Sequence, residues 1–211
     1  IANEFFDCFP IKQTYRLKEN YFEKIVRFNK NSKKFILDKI QLKTTNYLAK
    51  KTHEIYELNK LSEGDIVEIE IKSENYINDI GNLILKNNGL LIMIDYGNYS
   101  PIGYSTIQSL KKHKKTSFLN NPGGQDLSHM VDFSYFAKKF SLMNLNVYGP
   151  YTQKNFFVSL GIHKLKEKIF QKSSDLQKKN IKIGLDRILK NSQMGQLFKV
   201  LIVSSHKLKN Y

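Results

Sequence analysis

Residues 90–97 read LLIMIDYG, and the fold is decided there. Leu90 to Ile94 is an unbroken apolar run of strand length, which predicts a strand buried on both faces of a sheet. The run breaks at Asp95-Tyr96-Gly97. Upstream, the spacing of Ile77, Ile80 and Ile84 predicts a helix beginning at Ser73 and stopped by Asn87-Asn88-Gly89. Helix, short turn, buried strand and polar loop together form the pattern of an α/β layer. In open sheets of that kind, ligands sit beyond the carboxyl ends of the strands. Asp95, with Tyr96 beside it, is therefore the first candidate binding residue. A local Asx turn is the alternative use of the same aspartate.

The first ten residues, IANEFFDCFP, carry a second such edge. Ile1-Ala2 reads as the tail of another strand, and Asn3, Glu4 and Asp7 follow it. If the two strands share one parallel sheet, these polar groups collect at one edge with Asp95. Carboxylates gathered there can hold a cation, and a guanidinium fits best because its planar fork matches carboxylate oxygens. Turn or helix-start acids are the alternative reading of Glu4 and Asp7.

Outward from these edges the chain changes character. Ile11, Gln13, Tyr15 and Leu17 alternate with polar residues, and YFEKIVRF (21–28) and KFILDKI (34–40) follow after turn clusters, which predicts a small antiparallel meander over 11–41. Residues 42–62 are weakly patterned and read as loop with some helix, and IVEIEI (66–71) reads as a strand. Residues 98–131 read as a long loop-rich connection, a type more often functional than idle, which makes His113 and Asp126 candidate substrate-binding residues. A helix is expected from about Ser134, with Asp132 placed either to cap it or to serve the site. A strand LNVYG (145–149), a helix capped by Thr152, helices over 163–172 and 175–190, and an apolar strand LFKVLIVSS (197–205) complete the reading.

Composition narrows the function. The net charge is +15, but lysines are spread through nearly every segment and heavily outnumber arginines, the pattern of solvated lysine faces more than of a nucleic-acid partner. The single cysteine, Cys8, precludes an internal disulfide. No apolar run is long enough to span a bilayer, and no secretory leader pattern is present, so a secreted protein is not expected. There is no GxGxxG, P-loop, HExxH or GxSxG string and no zinc-ligand spacing, so no metal is expected.

Five segments in order resemble one family. IANEFFDCFPIKQ (1–13) is similar to the NEFxDALP motif of MidA-type methyltransferases, and LLIMIDYG resembles their second signature. PGGQDLSHMVDFSYF (122–136) resembles their PGxxDLTxHVDFxxL stretch, while GPYTQKNFFVSLGI (149–162) and QMGQLFKVLIVS (193–204) resemble the closing segments. Cys8, Phe9 and Ser128 stand where the family has Ala, Leu and Thr. The resemblance implies an α/β, partial Rossmann-like class I methyltransferase sheet with the meander inserted, and S-adenosyl-L-methionine as cofactor. It implies methylation of a protein arginine linked to assembly of respiratory complex I. It places NEFxD at the end of the family's fourth strand, so the glycine-rich cofactor turn would precede Ile1. The expectation is thus a single, N-terminally incomplete domain over 1–211, as a fragment, a split-gene product or a relic.

On that resemblance, Glu4 and Asp7 grip or polarise the guanidinium, Asn3 lies near the methyl donor, and Asp95 and Tyr96 line the opposite wall. His113, Asp126 and Asp132 are further substrate-binding candidates. A protein substrate, a complex I subunit among the candidates, is the implied partner, together with a second copy or a separately encoded N-terminal half. The implied compartment is the cytoplasm of a bacterium or the mitochondrial matrix of a eukaryote. The alternative is a non-catalytic assembly module descended from such an enzyme.

Overall fold

Asn87-Asn88-Gly89 does stop a helix: Asn88 takes a left-handed φ of 49°, and the Gly89 amide donates to the Ile84 carbonyl at 2.8 Å. The computed structural model describes residues 1–208. In chain order the elements are β1 (Ala2–Asn3), β2 (Ile11–Leu17), β3 (Asn20–Asn29), β4 (Lys34–Leu42), α1 (Tyr47–Asn59), β5 (Val67–Glu70) and α2 (Ser73–Lys86). Then come β6 (Leu90–Asn98), β7 (Gln108–Lys111), β8 (Lys114–Lys115), β9 (Asp126–Ser128), β10 (Val131–Asp132) and α3 (Phe133–Leu142). β11 (Asn146–Thr152), α4 (Gln153–Ser159), α5 (Ile162–Phe170), α6 (Asp175–Leu189), α7 (Met194–Leu197) and β12 (Phe198–Ser204) follow. They form two compact units, one of residues 1–6, 77–99 and 131–208, the other of residues 7–76 and 100–130.

The first unit is built on a mixed sheet in the order β1-β6-β12-β11, with β10 paired to the far end of β6. β1 runs parallel to β6, Ala2 opposite Met93 and Asn3 opposite Ile94. β12 runs antiparallel to β6 from Leu90–Ser204 to Tyr96–Phe198, and β11 antiparallel to β12. All seven residues of β12 are buried, as its apolar run requires of a central strand. β6 departs from expectation. It continues past Asp95 to Asn98, and its burial alternates instead of being complete. The alternation gives the strand two unlike faces. Ile92 and Ile94 join Val200, Ile202 and Phe156 of α4 on one, while Leu91, Met93 and Asp95 lie on the other. α3 contributes Phe133, Phe136 and Phe140, all fully buried, with Phe136 4.6 Å from the ring of Phe6. A Cβ on Gly97 would stand 2.9 Å from the Phe133 ring, so the close passage of β6 beside β10 and α3 requires glycine.

The second unit holds the predicted antiparallel strands and adds β5, in the order β4-β3-β2-β5. Residues 42–62 contain more helix than their pattern suggested. α1 is anchored by the Asn46 cap and buries Ala49, Thr52 and Tyr56, the last packed with Val67 and Ile69. Three of its thirteen residues are buried, which is why the apolar period was faint. The connection after β6 is also more ordered than expected: β8, β7 and β9 form a three-stranded antiparallel sheet.

Candidate functional site

In the first unit, Asn3 and Glu4 stand exposed at the carboxyl end of β1, beside the parallel strand β6. The Glu4 amide still donates to the Ile94 carbonyl at 3.0 Å, but the residue then turns to φ 46°, a left-handed conformation that costs a non-glycine residue about 1–2 kcal/mol. Asp95 holds that turn. One of its carboxylate oxygens accepts from the amides of Phe5 and Phe6, each at 3.2 Å, and the other accepts from the Tyr96 amide at 2.9 Å. Asp95 is fully buried. Its carboxylate thus fixes the backbone on which Glu4 and Asn3 are displayed. Tyr96, half-buried, packs edge-on against Phe198 at 5.4 Å.

Opposite Asp95 in the sheet register is Lys199, also buried. Its ammonium donates to the carbonyls of Gln196 at 2.6 Å and Leu197 at 3.2 Å and lies 5.1 Å from the Tyr99 ring centre. Burial pushes the Lys199 pKa below the ordinary lysine range. Asn3 also borders a groove of about 450 Å³ whose other walls include Ala2, Phe5, Ile80, Leu83 and Leu91. An apolar wall with one carboxamide suits the uncharged part of a nucleoside-like cofactor. Asn3 and the neighbouring Glu4 are the polar groups that this edge can turn toward the charged part.

The remaining predicted residues are placed as follows. Asp132 caps α3, one oxygen accepting from Ser134 and Tyr135 amides at 3.0 and 3.2 Å. In the second unit, His113 sits in the β7–β8 turn, where it and Lys112 both take left-handed φ, and Asp126, on β9, pairs with Leu110 of β7. Asp7 is buried there, its carbonyl accepting from the His129 amide at 2.9 Å. Asn3, Glu4, Asp95 and Tyr96 are therefore brought to one edge within the first unit.

A second polar cluster escaped sequence reasoning. His129 and Glu70 are both buried, with His129 Nε2 3.6 Å from Glu70 Oε1, and the Ser73 hydroxyl donates to the other Glu70 oxygen. Nothing local announces this pairing, since 59 positions separate the partners. Among the described residues no metal-binding cluster is present.

Residues 1–151 match the family model of S-adenosyl-L-methionine-dependent methyltransferases. Protein arginine methyltransferase NDUFAF7, mitochondrial, of Xenopus tropicalis is 28% identical over 211 residues, covering 99% of this chain and 47% of that protein. Its Homo sapiens counterpart is 23% identical over 209 residues, covering 98% and 45%. The chain thus spans about half the length of these curated relatives. A Burkholderia thailandensis protein crystallised with S-adenosyl-homocysteine superposes with a TM-score of 0.79 at 18% identity, covering 96% of this chain and 52% of that one. A native crystal structure of a protein from the same organism gives 0.80 at 19% identity. The likeness confirms the expected α/β methyltransferase architecture.

Proposed function

The chain belongs to the MidA-type family of S-adenosyl-L-methionine-dependent methyltransferases, and on that premise we propose that it carries the substrate-side residues for methylating an arginine of a protein. The observation that supports this is the exposed Asn3–Glu4 pair, held at a parallel-strand edge by the buried carboxylate of Asp95. When bound, S-adenosyl-L-methionine supplies an electrophilic methyl group on a sulfonium. The protein's task is to bind, orient and exclude water.

Glu4 grips the substrate guanidinium through paired N–H···O contacts and presents one nitrogen for attack; such pairs are charge-assisted and directional. Asn3 turns its carboxamide toward the cofactor. Asp95 keeps both in place without touching the substrate, and Tyr96 forms the wall beside them. Asp7, in the second unit, is a separate candidate contact for the protein substrate. His113 and Asp126, also in the second unit, are further candidate contacts for the protein substrate, as is Asp132 in the first. Positioning of this kind lowers a barrier by up to about 7–11 kcal/mol in ideal cases.

The relatives are roughly twice as long, and the 211 residues contain no glycine-rich phosphate or nucleoside turn. By analogy with the relatives, which are named mitochondrial, the acceptor is a mitochondrial protein in a eukaryotic source, and the family resemblance makes respiratory complex I subunits the first to try.

Glu4→Gln in the whole protein is expected to reduce methyl transfer about 100-fold or more while leaving S-adenosyl-L-methionine affinity within about twofold by calorimetry. Unchanged turnover would remove Glu4 from the chemistry. Cofactor binding without any transfer to arginine peptides would favour a non-catalytic assembly module instead.

A further inference from the structure

α5 and α6 form an arm that contributes no buried residue to the core. It packs on α4 and α7, beside β11 and β12, and β11 is at the opposite end of the sheet order from β1. Between Ile162 and Lys190 there are nine lysines and arginines against three aspartates and glutamates. Two of those acids are already paired within the arm, Asp175 with Lys178 at 3.5 Å and Asp186 with Lys190 at 2.8 Å. Lys164, Lys168, Lys172 and Lys179 have no ion pair among the described residues. A soluble arm needs charge, but it does not need what accompanies the charge here. Leu165 is 53% exposed, Ile169 41%, Leu176 70% and Ile183 60%. Leu165 and Ile169 are four positions apart and Leu176 and Ile183 seven, so each pair marks one stripe along its helix.

We propose that this arm is a docking surface for an anionic phospholipid bilayer, holding the protein peripherally with the β1 edge turned away. The occupant is chosen by the combination of groups. A bilayer accepts aliphatic side chains at its acyl boundary while lysine stems run up to the phosphates, so both features are used at once. A nucleic acid would favour exposed aromatic platforms and arginine forks; the arm has one arginine, and its aromatic, Phe170, lies 5.1 Å beneath the Lys166 ammonium. An acidic protein would use the lysines and leave the stripes unexplained. No described helix is long and apolar enough to cross a membrane, so the attachment is interfacial. The proposal does not rest on methyl transfer.

The chain contains no tryptophan, so a Leu165→Trp variant carries a single reporter. Its indole emission is expected to shift to the blue with phosphatidylcholine vesicles containing about 30 mol % phosphatidylglycerol, and to be quenched by lipids brominated near the headgroup. Phosphatidylcholine alone should do neither. Replacing Leu165, Ile169, Leu176 and Ile183 together by Gln should leave the melting temperature within about 2 °C and lower vesicle co-sedimentation at least tenfold, since all four side chains are solvent-facing. Lys30→Gln with Lys33→Gln, in the β3–β4 turn, should leave co-sedimentation unchanged. Equal loss in that control would reduce the effect to net charge and overturn the proposal. So would equal binding to neutral vesicles, or binding of poly-glutamate with no vesicle-induced shift of the indole.

Discussion

Glu4 is the residue whose conformation and proposed chemistry pull in opposite directions. At φ 46° a glycine would sit without strain, so Glu4→Gly is expected to raise stability by up to about 1 kcal/mol in urea melts while abolishing methyl transfer. A loss of stability would mean that the Glu4 side chain carries structural contacts of its own. Asp95 should behave in reverse. Asp95→Ala strands the Phe5 and Phe6 amides, and a cost of about 2–3 kcal/mol in the same melts is expected. Both residues were legible as candidates because a polar residue directly after an apolar strand is conspicuous. The use of Asp95 was only half legible. An Asx turn to Tyr96 is local, but the amides of Phe5 and Phe6 are 90 and 89 positions away. A separation of 59 positions likewise hid the pairing of Glu70 with His129.

At the scale of elements, period and capping chemistry carried most of the reading. Helices with strong signals, such as the one opened by the Thr152 cap or by the Ser174–Gln177 capping box, lie where expected. The misses share a cause. β7, β8 and β9 are two to four residues long, too short for alternation to register, and their turn uses Lys112-His113 where Asn-Gly would be the recognisable signal. That turn is strained as a result. Lys112→Asn with His113→Gly is expected to stabilise the protein by about 1 kcal/mol in thermal melts. No gain would indicate that Lys112 or His113 makes compensating contacts.

At the scale of the molecule, two buried titrating groups set opposite slopes under alkaline conditions. Tyr56 donates to the Asp65 carbonyl and accepts from the Arg16 amide at 3.0 Å, and burial raises its pKa above the ordinary value. Its neutral form is the one the fold favours, so its contribution is intact below about pH 10 and is lost as pH rises through the raised value. Lys199 is the reverse: its folded pKa is lowered, so the unfolded chain binds more protons, and stability climbs between that lowered value and about 10.4. Urea midpoints should therefore rise with alkalinity and then fall. Lys199→Met should flatten the rise, and Tyr56→Phe should flatten the fall. A rise that persists in Lys199→Met would assign it to another group.

The order in which the strands are made has a bearing on how the protein comes into being. The middle of the first unit's sheet, between β6 and β11, is filled by β12, the last of the described strands in chain order. A ribosome has finished every strand of the second unit by residue 130, so that unit can close while synthesis continues. The first unit cannot. Until Phe198–Ser204 emerges, β6 and β11 wait with apolar edges uncovered, which is the interval in which a nascent chain most needs a chaperone.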